Sequence, residues 1–311
     1  GDGTAEAEMP ASGWLLNSAG LVGGGTLAIL ADIAFGLAIE TKLPPAVPYT
    51  TAELSLTFLR PARPGAAITA HGQAIHVGRT VGLAEVFLID PRDEALLAHG
   101  TSRLSIFPPL DGLPRPPTDP PDYEQPSYPD PDPYLRPPPA GAVLPQEVWD
   151  RLSGREILER QIRGELPAPP IRQLTGINLR AVGDGAATMT LPASEWLNSP
   201  AGRLQGGTIA MLADASLLTA VMTTTPSGTA IAGLDLKVNF LRPVAGDDGE
   251  LIARARVEHA GRTLAISSAR VENADGKPVM LATGSAMYLP GRPATLGPEV
   301  ELSSDAEREP Q

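Results

Sequence analysis

The 311-residue sequence contains no cysteine. That excludes a disulfide framework, a thiolate metal site and a cysteine nucleophile. Histidine is almost as scarce, with four: His71, His76, His99 and His259. None stands in an HExxH or H-x-E pattern, so no zinc-enzyme signature is present and no metal is expected. Basic residues are outnumbered 24 to 36, for a formal charge of -12. A nucleic-acid surface needs a basic footprint, which this balance lacks. A small anionic ligand needs only a few local arginines. Charges or prolines interrupt every apolar run well short of the about 18 residues of a membrane span. No signal peptide and no membrane partner are expected, and the expected location is cytoplasmic. The chain opens on Gly1-Asp2-Gly3 rather than methionine, which reads as a trimmed, tagged or incomplete start.

What is present is a repeat. "GGTLAILAD" runs from Gly24 to Asp32, and "GGTIAMLAD" from Gly206 to Asp214, at an offset of 182 residues. At the same offset "GDGTAEAEMPASGW" parallels "GDGAATMTLPASEW", and "LSLTFLRP" parallels "LKVNFLRP". "HVGRTVGLAEV" parallels "HAGRTLAISSA" one residue further out, with Arg79 on Arg262. A duplication this long implies two copies of one structural unit.

Each copy has the same plan. A short strand and a loop precede a helix, expected over 26–41 and 208–224, that is apolar on nearly every face and so buried. Four β-rich segments follow, with polar/apolar alternation in "ELIARARVEHAGR" and a turn in "NADGKP". A buried helix wrapped by one antiparallel sheet is an α+β unit. The expected boundaries are 1–107 for unit 1, 108–145 for a linker, 146–290 for unit 2 and 291–311 for a polar, frayed tail. The linker holds fifteen of the 34 prolines, a composition for an extended spacer. Its Tyr123, Tyr128 and Tyr134 also suit a strap along a surface. Unit 2 opens with a helical stretch over 146–165, broken at Gly154, and a first strand. Unit 1 has no counterpart of either, so upstream residues are expected to be missing.

An aspartate inside an apolar helix is costly: an isolated buried carboxylate must raise its pKa or find partners. It can be a structural group bonded to a nearby loop. Two copies, each after a glycine pair at a helix start, favour chemistry. Gly24-Gly25 and Gly206-Gly207 leave backbone N–H groups bare, a donor site for a carbonyl oxygen or oxyanion. Each aspartate lies about 10 Å along the axis from its own helix start. It could serve the other copy's start if the two helices run antiparallel, giving two composite sites.

These residues carry a resemblance. "GWLLNSAGLVGGGTLAILADIAFG", "LSLTFLRPA" and "GRTVGLAEV" resemble the hotdog-fold acyl-CoA thioesterases of the phenylacetate-pathway type. So do "GELPAPPIRQLTGINL", "GGTIAMLADA", "VNFLRPV" and "HAGRTLAISSARV". The resemblance spans nearly all of both units and omits the linker. It implies two tandem hotdog units in one chain and hydrolysis of an acyl-CoA or aryl-CoA thioester. It implies no cofactor beyond the coenzyme A of the substrate. By position, Asp32 and Asp214 are its acids, as base or nucleophile, and Gly24 and Gly206 its oxyanion donors. Asn17 matches an asparagine of the family's loop; in unit 2 that position is Ser199, beside Asn198. Thr51 matches a hydroxyl opposite the acid, which in unit 2 becomes Gly233. The family's loop histidine is replaced by Gly23 in unit 1 and Gln205 in unit 2.

For coenzyme A, the resemblance implies the segments Gly78-Arg79-Thr80 and Gly261-Arg262-Thr263, with Gly25 and Gly207 beside the helix starts. Arg60 and Arg242 of the two "FLRP" corners are candidates for its phosphates, although surface arginines at strand ends serve equally well in salt bridges. Two chains are expected to pair sheet to sheet. The site joining Asp32, Thr51, Gln205 and Gly206 is expected to outdo the one joining Asp214, Asn17 and Gly24, because it keeps two side-chain donors. The replaced histidines leave a second reading open, a non-catalytic acyl-CoA-binding or regulatory protein. A hotdog dehydratase needs a histidine at the helix, and none is there.

Overall fold

The computed structural model describes residues 2–65, 67–110, 138 and 140–295. The strap suggested by Tyr123, Tyr128 and Tyr134, and the end of the tail, lie outside the described residues.

Unit 1 runs β1 (Thr4–Pro10), α1 (Gly24–Glu40), β2 (Tyr49–Phe58), β3 (Ala67–Val77), β4 (Val81–Asp90) and β5 (Ala95–Ile106). Three short helices follow: α2 (Gln146–Arg151), α3 (Gly154–Ile162) and α4 (Ile171–Thr175). Unit 2 then runs β6 (Asn178–Gly183), β7 (Ala186–Pro192), α5 (Gly206–Met222), β8 (Thr229–Phe240), β9 (Glu250–Ala260), β10 (Leu264–Glu272) and β11 (Pro278–Pro290). Both central helices begin at their first glycine, two residues earlier than the apolar pattern suggests.

All strands join one antiparallel eleven-stranded sheet, ordered β1-β3-β4-β5-β2-β8-β11-β10-β9-β7-β6. The units meet at the β2–β8 seam, where Ser55 faces Lys237, Leu54 faces Val238 and Leu56 faces Leu236. Ser55 and Lys237 are the same position in the two copies. The flanking pairs exchange places about them, so a pseudo-twofold axis passes through that pair. The strands alternate: β4 buries Gly82, Ala84, Val86 and Leu88 and turns Leu83 and Phe87 outward. The buried face wraps α1 and α5, whose leucines and alanines form a single shared core. This explains why neither helix has a polar side.

The helical stretch of unit 2 breaks where a glycine suggested it. Ser153 caps α3, accepting the Glu156 N–H, while the Glu156 carboxylate accepts the Ser153 N–H. That reciprocal pair satisfies helix-end donors that α2 could not. Gly154 is a close-approach glycine: a Cβ there would lie 2.1 Å from the Met222 carbonyl oxygen. Its N–H donates to Thr225 O at 2.9 Å. The start of α3 is thereby held against the end of α5.

Candidate active site

The glycine pairs do two jobs. A Cβ on Gly25 would lie 2.7 Å from Met211 Cα, and one on Gly207 would lie 2.6 Å from Ile29 Cα. The second glycine of each helix thus meets the sixth residue of the other, which requires the helices to run antiparallel with backbones in contact. Only glycine permits that approach. The same contact delivers each aspartate to the other helix's N-terminus. Gly25 N–H donates to Asp214 Oδ2 at 2.7 Å, and Gly207 N–H donates to Asp32 Oδ2 at 2.8 Å. The exposed N–H groups and the helix dipole stabilise each buried carboxylate. The carboxylate meets the second glycine, not the first. The Gly24 and Gly206 N–H groups have no hydrogen-bond partner among the described residues.

The two sites differ at the second carboxylate oxygen. Asp32 Oδ1 accepts the Thr51 hydroxyl at 2.7 Å, so both its oxygens are engaged. Asp214 has Gly233 in the position of Thr51, and its Oδ1 has no hydrogen-bond partner among the described residues. Burial raises the pKa of Asp32, against the pull of Thr51 and Gly207. Burial pushes Asp214 up to about 6, opposed only by the Gly25 N–H.

A cavity of about 250 Å³ opens on Asp214. Its walls are mostly aliphatic and come from both units: the Asn17–Leu21 loop and Gly25 of unit 1, and α5, α3 and Trp149 of unit 2. Asn17 holds that loop, its Oδ1 accepting the Ala19 and Leu21 N–H groups. Its side-chain NH₂ is left for the cavity it lines. The loop is clamped from unit 2 and the end of the linker: Ile171 N–H donates to Leu16 O, Leu144 N–H to Ser18 O, and Gln161 Nε2 to Ser18 Oγ.

The Asp32 side is built differently. In place of Leu218 and Ile231 it has Gly36 and Tyr49, and the Tyr49 ring packs on Gly36 while its hydroxyl donates to Glu40 at 2.9 Å. The α1 residues matching the cavity wall of α5, Ile33 and Leu37, are 39% and 41% exposed. The sequence-based ranking of the sites rested on Gln205 and Thr51 as free donors. Gln205 Nε2 donates one of its two hydrogens to Ile29 O at 3.2 Å, and the Thr51 hydroxyl donates to Asp32. Asn198, beside the missing loop asparagine, points to Gly246 instead, where a Cβ would lie 2.6 Å from its Nδ2.

The four arginines expected from the sequence stand apart, whereas Arg172 lines the cavity. Arg60, Arg79, Arg242 and Arg262 are exposed, and none lines the cavity. Arg60 follows Phe58 by two residues, and the Phe58 ring packs on Gly24 beside the Asp214 site. The Gly78-Arg79-Thr80 turn lies over the other end of α1, where a Cβ on Gly82 would touch Ile39. Thr263 O accepts the Tyr288 N–H, so the matching Gly261-Arg262-Thr263 turn is tied to β11. Sequence reasoning missed Trp149, Leu218 and Met222. The first lies in helices without a repeat, and the others read as core. Among the described residues no cluster of His, Asp or Glu could hold a metal ion. None of their helices is long and apolar enough to cross a membrane.

The family model of the thioesterase superfamily matches residues 19–96 and 201–280, half of the chain. A Pseudomonas aeruginosa protein named "putative esterase" is 31% identical over 125 residues, which is 39% of this chain and 85% of that protein. A Halobacterium salinarum protein of the same name is 41% identical over 78 residues, 24% of this chain and only 50% of its own length. The crystal structure of an acyl-CoA thioesterase II from Mycobacterium marinum superposes with a TM-score of 0.52 at 14% identity, covering 88% of this chain and 91% of that one. At that identity the likeness concerns the fold. The twice-matched family, the helix pair and the single wrapped sheet agree: the chain belongs to the thioesterase superfamily, as two hotdog units in tandem.

Proposed function

We propose that the chain hydrolyses coenzyme A thioesters and that the Asp214 site carries the reaction. One observation carries this reading: Asp214, whose Oδ1 has no hydrogen-bond partner among the described residues, lines an apolar cavity beside Gly25, the neighbour of Gly24 and its equally unpartnered N–H. The names of the two sequence relatives, both esterases, support the hydrolysis of an ester bond.

The thioester carbonyl oxygen takes the Gly24 N–H, with the helix dipole behind it. Asp214, ionised above about pH 6, accepts a proton from a water as that water attacks the carbonyl carbon. The oxyanion that forms is held by Gly24, with the Asn17 amide as a second donor. Collapse breaks the C–S bond. The proton from Asp214 goes to the leaving thiolate, leaving a carboxylic acid and coenzyme A. Direct attack by Asp214, through an anhydride that water then opens, uses the same groups. Arg60 is the candidate for the phosphates at the rim. Asp32, with both oxygens occupied, serves chiefly to hold the helix pair.

A second reading keeps the binding and drops the chemistry. It is favoured by Gly23, which leaves the loop before Gly24 without the family's histidine. Free-thiol release from a panel of acyl-CoAs separates the two: saturable binding without release from any ester would establish the second. We also propose that two chains pair through the outer sheet face, where Phe87, Ile266 and Leu281 are exposed. A monomer by light scattering would remove that part.

A further inference from the structure

The wall of the Asp214 cavity is chemically uniform in one direction. From Asp214 it follows one face of α5 through Ala215 and Leu218 to Met222. Eight residues of helix span about 12 Å. The hydroxyl of α5 that lines this path and the one just past the helix are already used. Thr219 donates to Met189 Sδ, and Thr225 to Val221 O. A polar substituent pressed on this face of α5 would therefore lose its water without gaining a partner there; the polar lining residues Gln161, Arg172 and Asn178 belong to α3, α4 and β6. At the far end the wall comes from α2 and α3. The Trp149 carbonyl accepts the Gly228 N–H, which sets this residue beyond the C-terminus of α5, and Gly154 is packed on Met222. Both are fixed by backbone contacts, so the end wall does not yield easily.

We propose, resting on the thioesterase reading above, that this cavity takes an unbranched aliphatic acyl group and that Met222 and Trp149 set its length. C–C bonds of about 1.5 Å advance an extended chain by about 1.25 Å per carbon. About 12 Å then accommodates about ten carbons, with the thioester at Asp214 and the terminal methyl at Trp149. In unit 1 the position of Met222 is the charged Glu40, so the Asp32 side offers no such path.

The test uses the full chain and S-alkyl-coenzyme A thioethers, which cannot be hydrolysed, from four to sixteen carbons. Binding is followed by titration calorimetry and by Trp149 fluorescence, with Trp149→Phe identifying its signal. Affinity should rise about fourfold per methylene to a break near ten carbons, then level off. Met222→Trp should move the break to shorter chains and Trp149→Ala to longer ones. Opposite shifts cannot both come from unfolding. A flat dependence on length, a phenylalkyl thioether binding more tightly than the alkyl one of equal carbon number, or a break that neither variant moves would overturn the inference. Thiol release from the matching esters keeps the two readings apart. A clear break without any release removes the thioesterase reading and leaves this one. Release without a break does the reverse.

Discussion

Asp214 accepts the Gly25 N–H at 2.7 Å across 189 residues of chain, and this contact joins the two units at the point where chemistry is proposed. The carboxylate is buried, ionisable and supported by one donor. Its pKa of about 6 makes it a competent base near neutral pH. The rate of thioester hydrolysis, as kcat/KM, should therefore rise with pH along a limb centred near 6. A limb near 4 would mean that some exposed carboxylate, and not Asp214, does the work.

The same group costs stability, and the sign is fixed by burial. Asp214 binds its proton more tightly folded than unfolded, with values of about 6 against 3.8. Its contribution is most favourable below the unfolded value. It declines as pH rises between the two, and is constant above about 6. A shift of about two units corresponds to about 3 kcal/mol. Asp214→Asn keeps an acceptor for Gly25 and removes the charge. The variant should melt higher than the wild type at pH 7.5 and no higher at pH 4, by calorimetric Tm. Hydrolysis by it should fall at least about a hundredfold, while Asp32→Asn should retain most activity. Loss confined to the Asp32 variant would return the reaction to the other site.

The glycines that let the helices touch can be tested against one that does not. A Cβ on Gly25 meets Met211 backbone at 2.7 Å, whereas one on Gly23 meets nothing within 4 Å. Gly25→Ala gains about 1 kcal/mol of helix propensity but forces the helix pair apart. Overpacking against backbone costs about 1–3 kcal/mol, so the net effect should be a lower urea midpoint. Gly23→Ala should leave the midpoint unchanged. Equal midpoints for the two variants would show that the helices slide apart freely.

Much of this was legible in the repeat. Two aspartates at one offset, each too far from its own glycine pair, already suggested an antiparallel helix pair with crossed sites. The apolar faces of α1 and α5 announced their burial. What the repeat hid is what breaks it. The cavity depends on α2, α3 and α4, which have no counterpart in unit 1, so no internal comparison marks Trp149 or Leu158 as wall. Side-chain direction was equally hidden: Gln205 looked like a free donor, yet its amide is drawn to Ile29 O by the nearness that Gly207 allows. The glycine pairs were read as bare N–H groups. Their second role, closeness, needs the partner helix to be seen.

The last prediction transplants the one group that separates the two sites. Thr51 donates to Asp32 at 2.7 Å, and Gly233 is its counterpart across the pseudo-twofold axis. A Cβ on Gly233 would lie 3.4 Å from the Leu218 side chain, an ordinary contact, so a side chain fits there. Gly233→Thr should place a hydroxyl on Asp214 Oδ1. A hydrogen bond to the ionised form lowers a carboxyl pKa, so the limb in kcat/KM should move below 6. The bond also ties up the oxygen proposed to take the proton from water. Activity on the plateau should fall even though more of the enzyme is ionised. Gly233→Val, of similar shape without the hydroxyl, should leave the limb where it is. A shifted limb with Val as well as Thr would assign the effect to bulk beside Leu218. An unmoved limb with Thr would mean that Asp214 Oδ1 does not face the position of residue 233, and the contrast between the two sites would lose its basis.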